Sequence, residues 1–304
     1  MGFADLLMEC FIYIYIILYF MSNNEYTCKD CNYVGISSYQ CSECGSNKLE
    51  LKEFYEYVYE DIKLIIPSRY YHGNLLDRFK ENRYENPEKT LIEKYFDKND
   101  NVLEFGTCLG YTAAILSHSV NKVISIEANP ELEECLKKFK DVNKLTNLEL
   151  LNAYISNTKD EVEFQTYDNI VAGSADREII KASKLNPRFG GFGKNLKIYK
   201  LKTIALDNIK NINQINSLVI DMEGGEVDFL IENEEFFNSI DKILIELHGF
   251  FKEHQKKGGI GKYNQKCIDI LSSYGFCLKD NILHNYYFEK SEAVPQIQLG
   301  DFSR

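Results

Sequence analysis

Four acids close four short apolar runs: Glu104 in NVLEFG, Glu127 in KVISIE, Asp221 in SLVIDME and Glu246 in KILIEL. Carboxylates at such ends can accept hydroxyls, hold cations or take up a proton, provided the runs are neighbouring strands whose ends meet. Glu104 also begins the spacing E-x-G-x-x-x-G, with glycines at Gly106 and Gly110. Gly106 lets the backbone turn and approach a ligand closely, and Gly110 opens a helix whose terminal amides can hold a carboxylate. The ordinary alternative is a tight strand-to-helix turn with an incidental acid. The spacing is not G-x-G-x-x-G, so a dinucleotide pyrophosphate fits less well. Glu127 follows 23 residues after Glu104, where a second-strand acid can accept both hydroxyls of a ribose. An acid, a glycine turn and a second-strand acid together suit S-adenosylmethionine.

The later acids suggest chemistry on a second molecule. Asp221, Glu223 and Glu226 lie within six residues around two glycines. Such acids repel one another unless they are solvated, paired or bound to a cation such as Mg²⁺. Asp221 is the candidate to face the reacting atoms, as a base or a metal ligand. Glu223 and Glu226 could instead cap the following helix, where negative charge is favoured. Glu246 and His248 alternate, so both can point to one face of a strand end. They could deprotonate a hydroxyl or bind a divalent ion, or be a satisfied core carboxylate and a surface imidazole. His72, His118, His254 and His284 have no such context.

The cysteines carry a separate signal. Cys28, Cys31, Cys41 and Cys44 are spaced C-x2-C-x9-C-x2-C. Two CxxC turns can present four thiolates to one tetrahedral ion, which suits Zn²⁺ in a small ribbon; iron in a rubredoxin-like site is the metal alternative. A closed four-thiolate site is structural, and could fold a segment too small for its own core or dock a partner protein. Nine cysteines, five of them scattered, fit a reducing compartment better than a disulfide framework.

The elements that must position these residues alternate in type. Pro87 starts a helix with Leu91, Ile92, Tyr95 and Phe96 on one face. NVLEFG, KVISIE, LELLNAYI, SLVIDME and KILIEL read as strands, with helices after Leu109, after Asn129 and Pro130, around Val227, Leu230 and Ile231, and around Cys267, Ile268 and Leu271 up to Gly275. GFCLKD and NYYFEK read as a closing antiparallel hairpin. The expectation is an α/β, Rossmann-like, mostly parallel seven-stranded sheet with helices on both faces, preceded by a small zinc ribbon. The expected organisation is an apolar leader (1–22), a ribbon (23–50), a helical and irregular connector (51–85), the main domain (86–290) and a tail (291–304). The turn-rich stretch from Thr166 to Lys202 interrupts the alternation and reads as a substrate loop or a surface loop.

Bulk properties narrow the partners. The 304 residues are 44% hydrophobic and 27% charged, as in a globular protein. The net charge of −11 argues against a broad nucleic-acid surface, because nonspecific affinity comes from neutralising phosphates. CFIYIYIILYFM, residues 10–21, is short for a membrane span and lacks a basic start. It reads as an anchor, as a packed element, or as sequence upstream of a translation start at Met21, the last slightly favoured. The chain is accordingly expected in the cytoplasm, with membrane contact only through residues 1–21 if they are retained.

From about Tyr84 to Lys290 the chain resembles the FkbM-type methyltransferases of the S-adenosylmethionine-dependent, Rossmann-like class. The resemblance rests on YENPEKTLIEKYF, VLEFGTCLGYTA, SIEANPEL, LLNAYIS, TIALDNI, SLVIDMEGGEVDFL and ILIELHG. It implies Glu104, Gly106, Gly110 and Glu127 as cofactor residues, adds Asn152 and Ala153 near the adenine, and implies O-methylation of a carbohydrate or other small hydroxylated acceptor. Cys108 stands where the family usually has Asn, and Val219 where it often has Lys. The ribbon is outside the family's pattern. It leaves open an RNA or protein acceptor docked through the ribbon, and a noncatalytic adaptor of the same fold.

Overall fold

The structure, a computed structural model, describes residues 26–28, 34–35, 49–51, 53–71, 73–167, 173, 196–249 and 261–291. The chain divides into two compact units, residues 1–55 and 56–304. In the first, β1 (Tyr26–Cys28) pairs antiparallel with both β2 (Val34–Gly35) and β3 (Leu49–Leu51). Cys28 ends β1; Cys31, Cys41, Cys44 and the apolar run 10–21 lie outside the described residues. Among the described residues, no helix is long and apolar enough to cross a membrane.

The larger unit is built on a seven-stranded sheet. Its strands are β6 (Asn101–Phe105), β7 (Lys122–Glu127), β8 (Leu148–Asn152), β12 (Ser217–Ile220), β13 (Lys242–Glu246), β14 (Phe276–Ile282) and β15 (Asn285–Lys290). Their order is β14-β15-β13-β12-β6-β7-β8. The five strands from β13 to β8 are parallel, and β15 and β14 close the edge as an antiparallel hairpin. The chain leaves β6 toward β7 and β8, then returns to lay β12 on the other side of β6. That reversal is a topological switch point, and its carboxyl edge is where open α/β sheets bind ligands.

Helices cover the strands because crossovers between parallel strands must span the sheet. They are α1 (Gly73–Lys80), α2 (Asn86–Tyr95), α3 (Tyr111–Ser119), α4 (Glu133–Val142), α5 (Glu226–Glu232) and α6 (Lys262–Ser273). Leu103, Phe105, Leu218, Ile220, Ile243 and Ile245 share one core with Val227, Phe229 and Leu230 of α5 and with Cys267 and Leu271 of α6. The alternate residues Glu104, Val219 and Leu244 sit side by side in the register of the same strands and face the other way. Tyr95 of α2 stacks on Tyr287 of β15 with ring centroids 3.9 Å apart.

The differences from expectation are local. LELLNAYI is not one strand: β8 stops at Asn152, and β9 (Tyr154–Ile155) pairs with β11 (Lys197–Ile204) instead. The interrupting stretch is anchored by β10 (Glu161–Thr166), which pairs antiparallel with β11; residues 168–172 and 174–195 between them lie outside the described residues. Residues expected as a helical connector form a hairpin, β4 (Phe54–Tyr59) and β5 (Ile62–Pro67), before α1. On α5, Ile231 is exposed and Phe229 takes its place in the core. Asn129 and Pro130 open a 3-10 turn before α4, with the Asn129 side chain accepting from the Glu131 amide.

Candidate active site

The glycine turn after β6 has a packing role that its spacing alone does not show. Gly106 has φ +88°, and a Cβ there would overlap the Asp221 carbonyl oxygen. The missing side chain therefore lets the ends of β6 and β12 approach each other. Gly110, also at φ +88°, caps α3, and a Cβ there would come within 2.5 Å of the Phe139 ring of α4. Both glycines set the geometry of the carboxyl edge, since a left-handed φ strains any other residue. Cys108 between them sits at φ +50° and donates its backbone amide to Glu127.

That amide meets Glu127. The Glu127 carboxylate accepts from Cys108 N at 2.7 Å and from Asn129 N at 2.7 Å, one bond to each oxygen. Burial raises the Glu127 pKa, and backbone amides at Asn129, Cys108 and Ala128 work against that rise. Each carboxylate oxygen retains a second lone pair. Asn152 donates through Nδ2 to the carbonyls of Glu127 (2.9 Å) and Asn129 (3.0 Å), and Ala153 N donates to Glu127 O at 2.9 Å. The pair expected near the adenine thus braces the backbone at Glu127 and Asn129.

Glu104 is 1% exposed, and its Oε2 accepts from Ser125 Oγ at 2.5 Å, the residue opposite it on β7. Its Oε1 is buried without a hydrogen-bond partner. Burial pushes this carboxyl up to about 7.

Across the switch point the acids meet an imidazole. His248, 3% exposed, holds Glu226 Oε1 through Nδ1 at 2.7 Å. Its Nε2 faces Asp221 Oδ1 at 3.6 Å, Glu223 Oε2 at 3.6 Å and Glu246 Oε1 at 3.8 Å. Burial disfavours the imidazolium, but the charges of Glu223, Glu226 and Glu246 outweigh it and hold the pKa well above the ordinary value. Glu226 is wholly buried and fully bonded: besides His248 it accepts from Gly224 N at 2.9 Å and Tyr263 OH at 2.6 Å. Its pKa is lowered despite burial because His248 lies against it. Asp221 is raised well above the carboxylate range by burial and then by the Glu246 charge. Asp221, Glu223 and His248 offer ligand atoms within 4.8 Å of one another.

One cavity lies at the switch point, and neither Glu127 nor His248 is among its lining residues. Glu104, Val219 and Leu244 line it from the sheet, Gly106 and Asp221 from the strand ends, and Tyr84, Glu85 and Glu88 from the start of α2. An aromatic cluster shapes this start: Tyr59 packs on Phe79 (5.2 Å) and Tyr111 (4.9 Å), and Phe79 on Tyr84 (4.9 Å). Glu85 and Glu88 do not stand out in the sequence, since acids at a helix start read as ordinary capping. Only the packing of α2 over the sheet reveals them.

The profile of the methyltransferase FkbM domain matches residues 97–278, more than half of the chain. This chain belongs to the FkbM methyltransferase family. The match runs from just before β6 into β14, so it includes the glycine turn and every acid at the carboxyl edge, but not Glu85 and Glu88. Comparison with curated proteins finds no match. Among solved structures, this FkbM-domain protein is similar to a protein of Listeria monocytogenes serotype 4b described as uncharacterized, at 11% identity and TM-score 0.39, with 67% of each chain covered. It is similar to a SAM-dependent methyltransferase of Aquifex aeolicus at 16% identity and TM-score 0.34, covering 67% of this chain and 86% of that one. It is also similar to TYW2 of M. jannaschii, solved with AdoMet, at 10% identity and TM-score 0.40, covering 81% and 92%.

Proposed function

We propose that this methyltransferase uses S-adenosylmethionine to methylate a hydroxyl on a small acceptor, with carbohydrates the leading class. The observation that carries the reading is the convergence of Glu127, Glu104 and Asp221 on one switch point, with Gly106 wedged between the last two. The cofactor fits these residues. Glu127 keeps a lone pair on each oxygen for ribose hydroxyls. The orphaned Glu104 Oε1 and Asp221 Oδ1 call for a donor or a cation. When bound, S-adenosylmethionine supplies an electrophilic methyl group, and the protein's part is to orient the acceptor and remove its proton.

Asp221 suits proton removal better than His248. It is the more open of the two, it lines the cavity, and its Oδ1 has no hydrogen-bond partner. His248 Nδ1 is committed to Glu226, so the imidazole acts as a fixed positive support for the acids around it. Glu246 and Glu223 complete that ring of charge. Calorimetry with S-adenosylhomocysteine, followed by radiolabelled methyl transfer into glycans, RNA and protein, tests the reading. Absence of nucleoside binding would sink it in favour of the adaptor, and label in RNA or protein would reassign the acceptor.

A second reading is favoured by the donor geometry at Asp221, Glu223 and His248: a divalent cation bound there, with Glu226 fixing the imidazole as an outer partner. One imidazole beside carboxylates suits Mn²⁺ or Zn²⁺ better than Mg²⁺. Activity after chelation, with and without each ion restored, decides it. We also propose that Cys28, Cys31, Cys41 and Cys44 hold a structural Zn²⁺ able to dock a partner protein in the cytoplasm; metal analysis of the full chain and of a Cys28→Ser variant checks this.

A further inference from the structure

Among the described residues, three buried side-chain oxygens lack any hydrogen-bond partner: Glu88 Oε2, Glu104 Oε1 and Asp221 Oδ1. All three residues line the same cavity. Buried polar atoms are otherwise almost always satisfied, so three orphans in one place describe the ligand that belongs there. In the ionised form each of these atoms is an acceptor, so the partner it lacks is a donor.

Glu88 is the informative member. It is 7% exposed, and Asn285 Nδ2 donates to its Oε1 at 2.5 Å, which fixes the carboxylate and leaves Oε2 without a partner. Its neighbours are mostly acidic. Glu246 raises its pKa after burial does, and Glu85 is in turn raised by burial and then by Glu88. Arg78, exposed on α1, is the basic group acting on both, and on Glu88 it counts for less than Glu246. His248 is held by its own ring of acids. A donor that also carries positive charge would satisfy Glu88 and relieve this repulsion at once.

We propose that Glu88 seats an ammonium group presented to the cavity. A methylation site offers two sources: the α-ammonium of the cofactor, or an ammonium on the acceptor close to the hydroxyl that is methylated, as in an amino alcohol or amino sugar. The ammonium site deepens the methyl-transfer reading and rests on it only for the identity of the ligand. Its geometry differs from the divalent-cation group, which does not include Glu88.

The experiment is calorimetric titration of the full chain and of Glu88→Gln, which keeps an oxygen for Asn285. The ligands are S-adenosylhomocysteine, its deaminated analogue 5′-S-(3-carboxypropyl)-5′-thioadenosine, and two amines, glucosamine and 2-aminoethanol, added over the bound nucleoside. A cofactor source gives the native chain a preference for S-adenosylhomocysteine over the deaminated analogue of roughly tenfold to a hundredfold, erased in Glu88→Gln. An acceptor source gives equal nucleoside binding and an amine uptake that Glu88→Gln loses. The proposal is overturned if the variant changes neither, if it weakens the deaminated analogue equally, or if only Mg²⁺ uptake depends on Glu88. If Glu88→Gln does not fold, the native chain decides alone, because absence of any ammonium preference and of any amine uptake overturns the assignment. If no nucleoside binds the native chain, methyl transfer falls while titration with the amines alone still tests Glu88.

Discussion

Glu127 and His248 are both buried ionisable groups at the carboxyl edge, and they are held in opposite ways. Glu127 is held by the main chain: two amides within 19 residues of it in sequence bond its oxygens, and Asn152 braces the carbonyls behind it. His248 is held by side chains from other elements: Glu226 from the start of α5, Asp221 and Glu223 from the loop after β12, and Glu246 from the end of β13. Under the proposed function the backbone-held half receives the ribose hydroxyls. The charge-held half is a set of mutually dependent ionisations that responds to whatever proton, cation or acceptor enters. Gly106 joins the two, because its missing Cβ is what lets Asp221 come against the β6 turn.

Breaking that joint should have the largest effect. Gly106→Val puts a side chain at φ +88° against the Asp221 carbonyl and should cost at least about 4 kcal/mol or prevent folding, read by urea denaturation followed by circular dichroism. Next is the anchor of the charge-held half. Glu226→Ala leaves His248 buried among its other acids without its hydrogen-bonded partner and should cost about 3 to 5 kcal/mol in thermal melts. The sign of its pH dependence follows from the raised folded-state pKa of His248. The stability that the imidazolium contributes is fully present below the ordinary value near 6.5 and is lost as pH rises through the elevated one. The cost of Glu226→Ala should therefore shrink in alkaline buffer, and a cost independent of pH would contradict an ionic role.

The backbone-held half should answer differently. Glu127→Gln keeps one acceptor oxygen but offers an NH₂ to an amide donor, and should weaken S-adenosylhomocysteine by about tenfold to a hundredfold in calorimetry with a smaller change in melting temperature. The smallest effect has the opposite sign. The Glu104 carboxyl is raised to about 7 when folded. Its acid form contributes stability that is complete below the unfolded value near 4.5 and lost as pH climbs to about 7. Glu104→Gln should thus stabilise the free protein by about 1 to 2 kcal/mol at pH 8 and leave it unchanged at pH 4, as measured by thermal melts. Stabilisation at both pH values would point to packing instead.

Much of the scaffold is legible in the order of residues. NVLEFG, KVISIE, SLVIDME and KILIEL are short apolar runs bounded by turn residues, and each forms a parallel strand because both faces are covered. What fails is local competition. LELLNAYI is apolar throughout, yet the chain bends after Asn152, where that side chain bonds two carbonyls of the β7 turn and the next residues pair with β11. The connector reads as helical and irregular; α1 is its helix, and its first part becomes a hairpin because Tyr59 and Ile62 to Ile66 are largely buried, a tertiary gain that outweighs weak local preference. The candidate site divides in the same way. Glu104, Glu127, Asp221, Glu246 and His248 are legible as strand-end residues, whereas Glu85 and Glu88, at the start of a helix upstream of the glycine turn, are not.

Residue type and spacing were enough to specify the parallel sheet, the glycine turn and the row of acids at its edge, because period, turn chemistry and strand ends are local properties. The family resemblance singled out Cys108 as unusual. Only the packed chain decided that Cys108 contributes an amide to Glu127, that Gly106 makes room for the Asp221 carbonyl, and that one imidazole lies among four carboxylates. Those outcomes depend on distances between residues far apart in the chain, and burial and charge act through such distances, not through order along the chain.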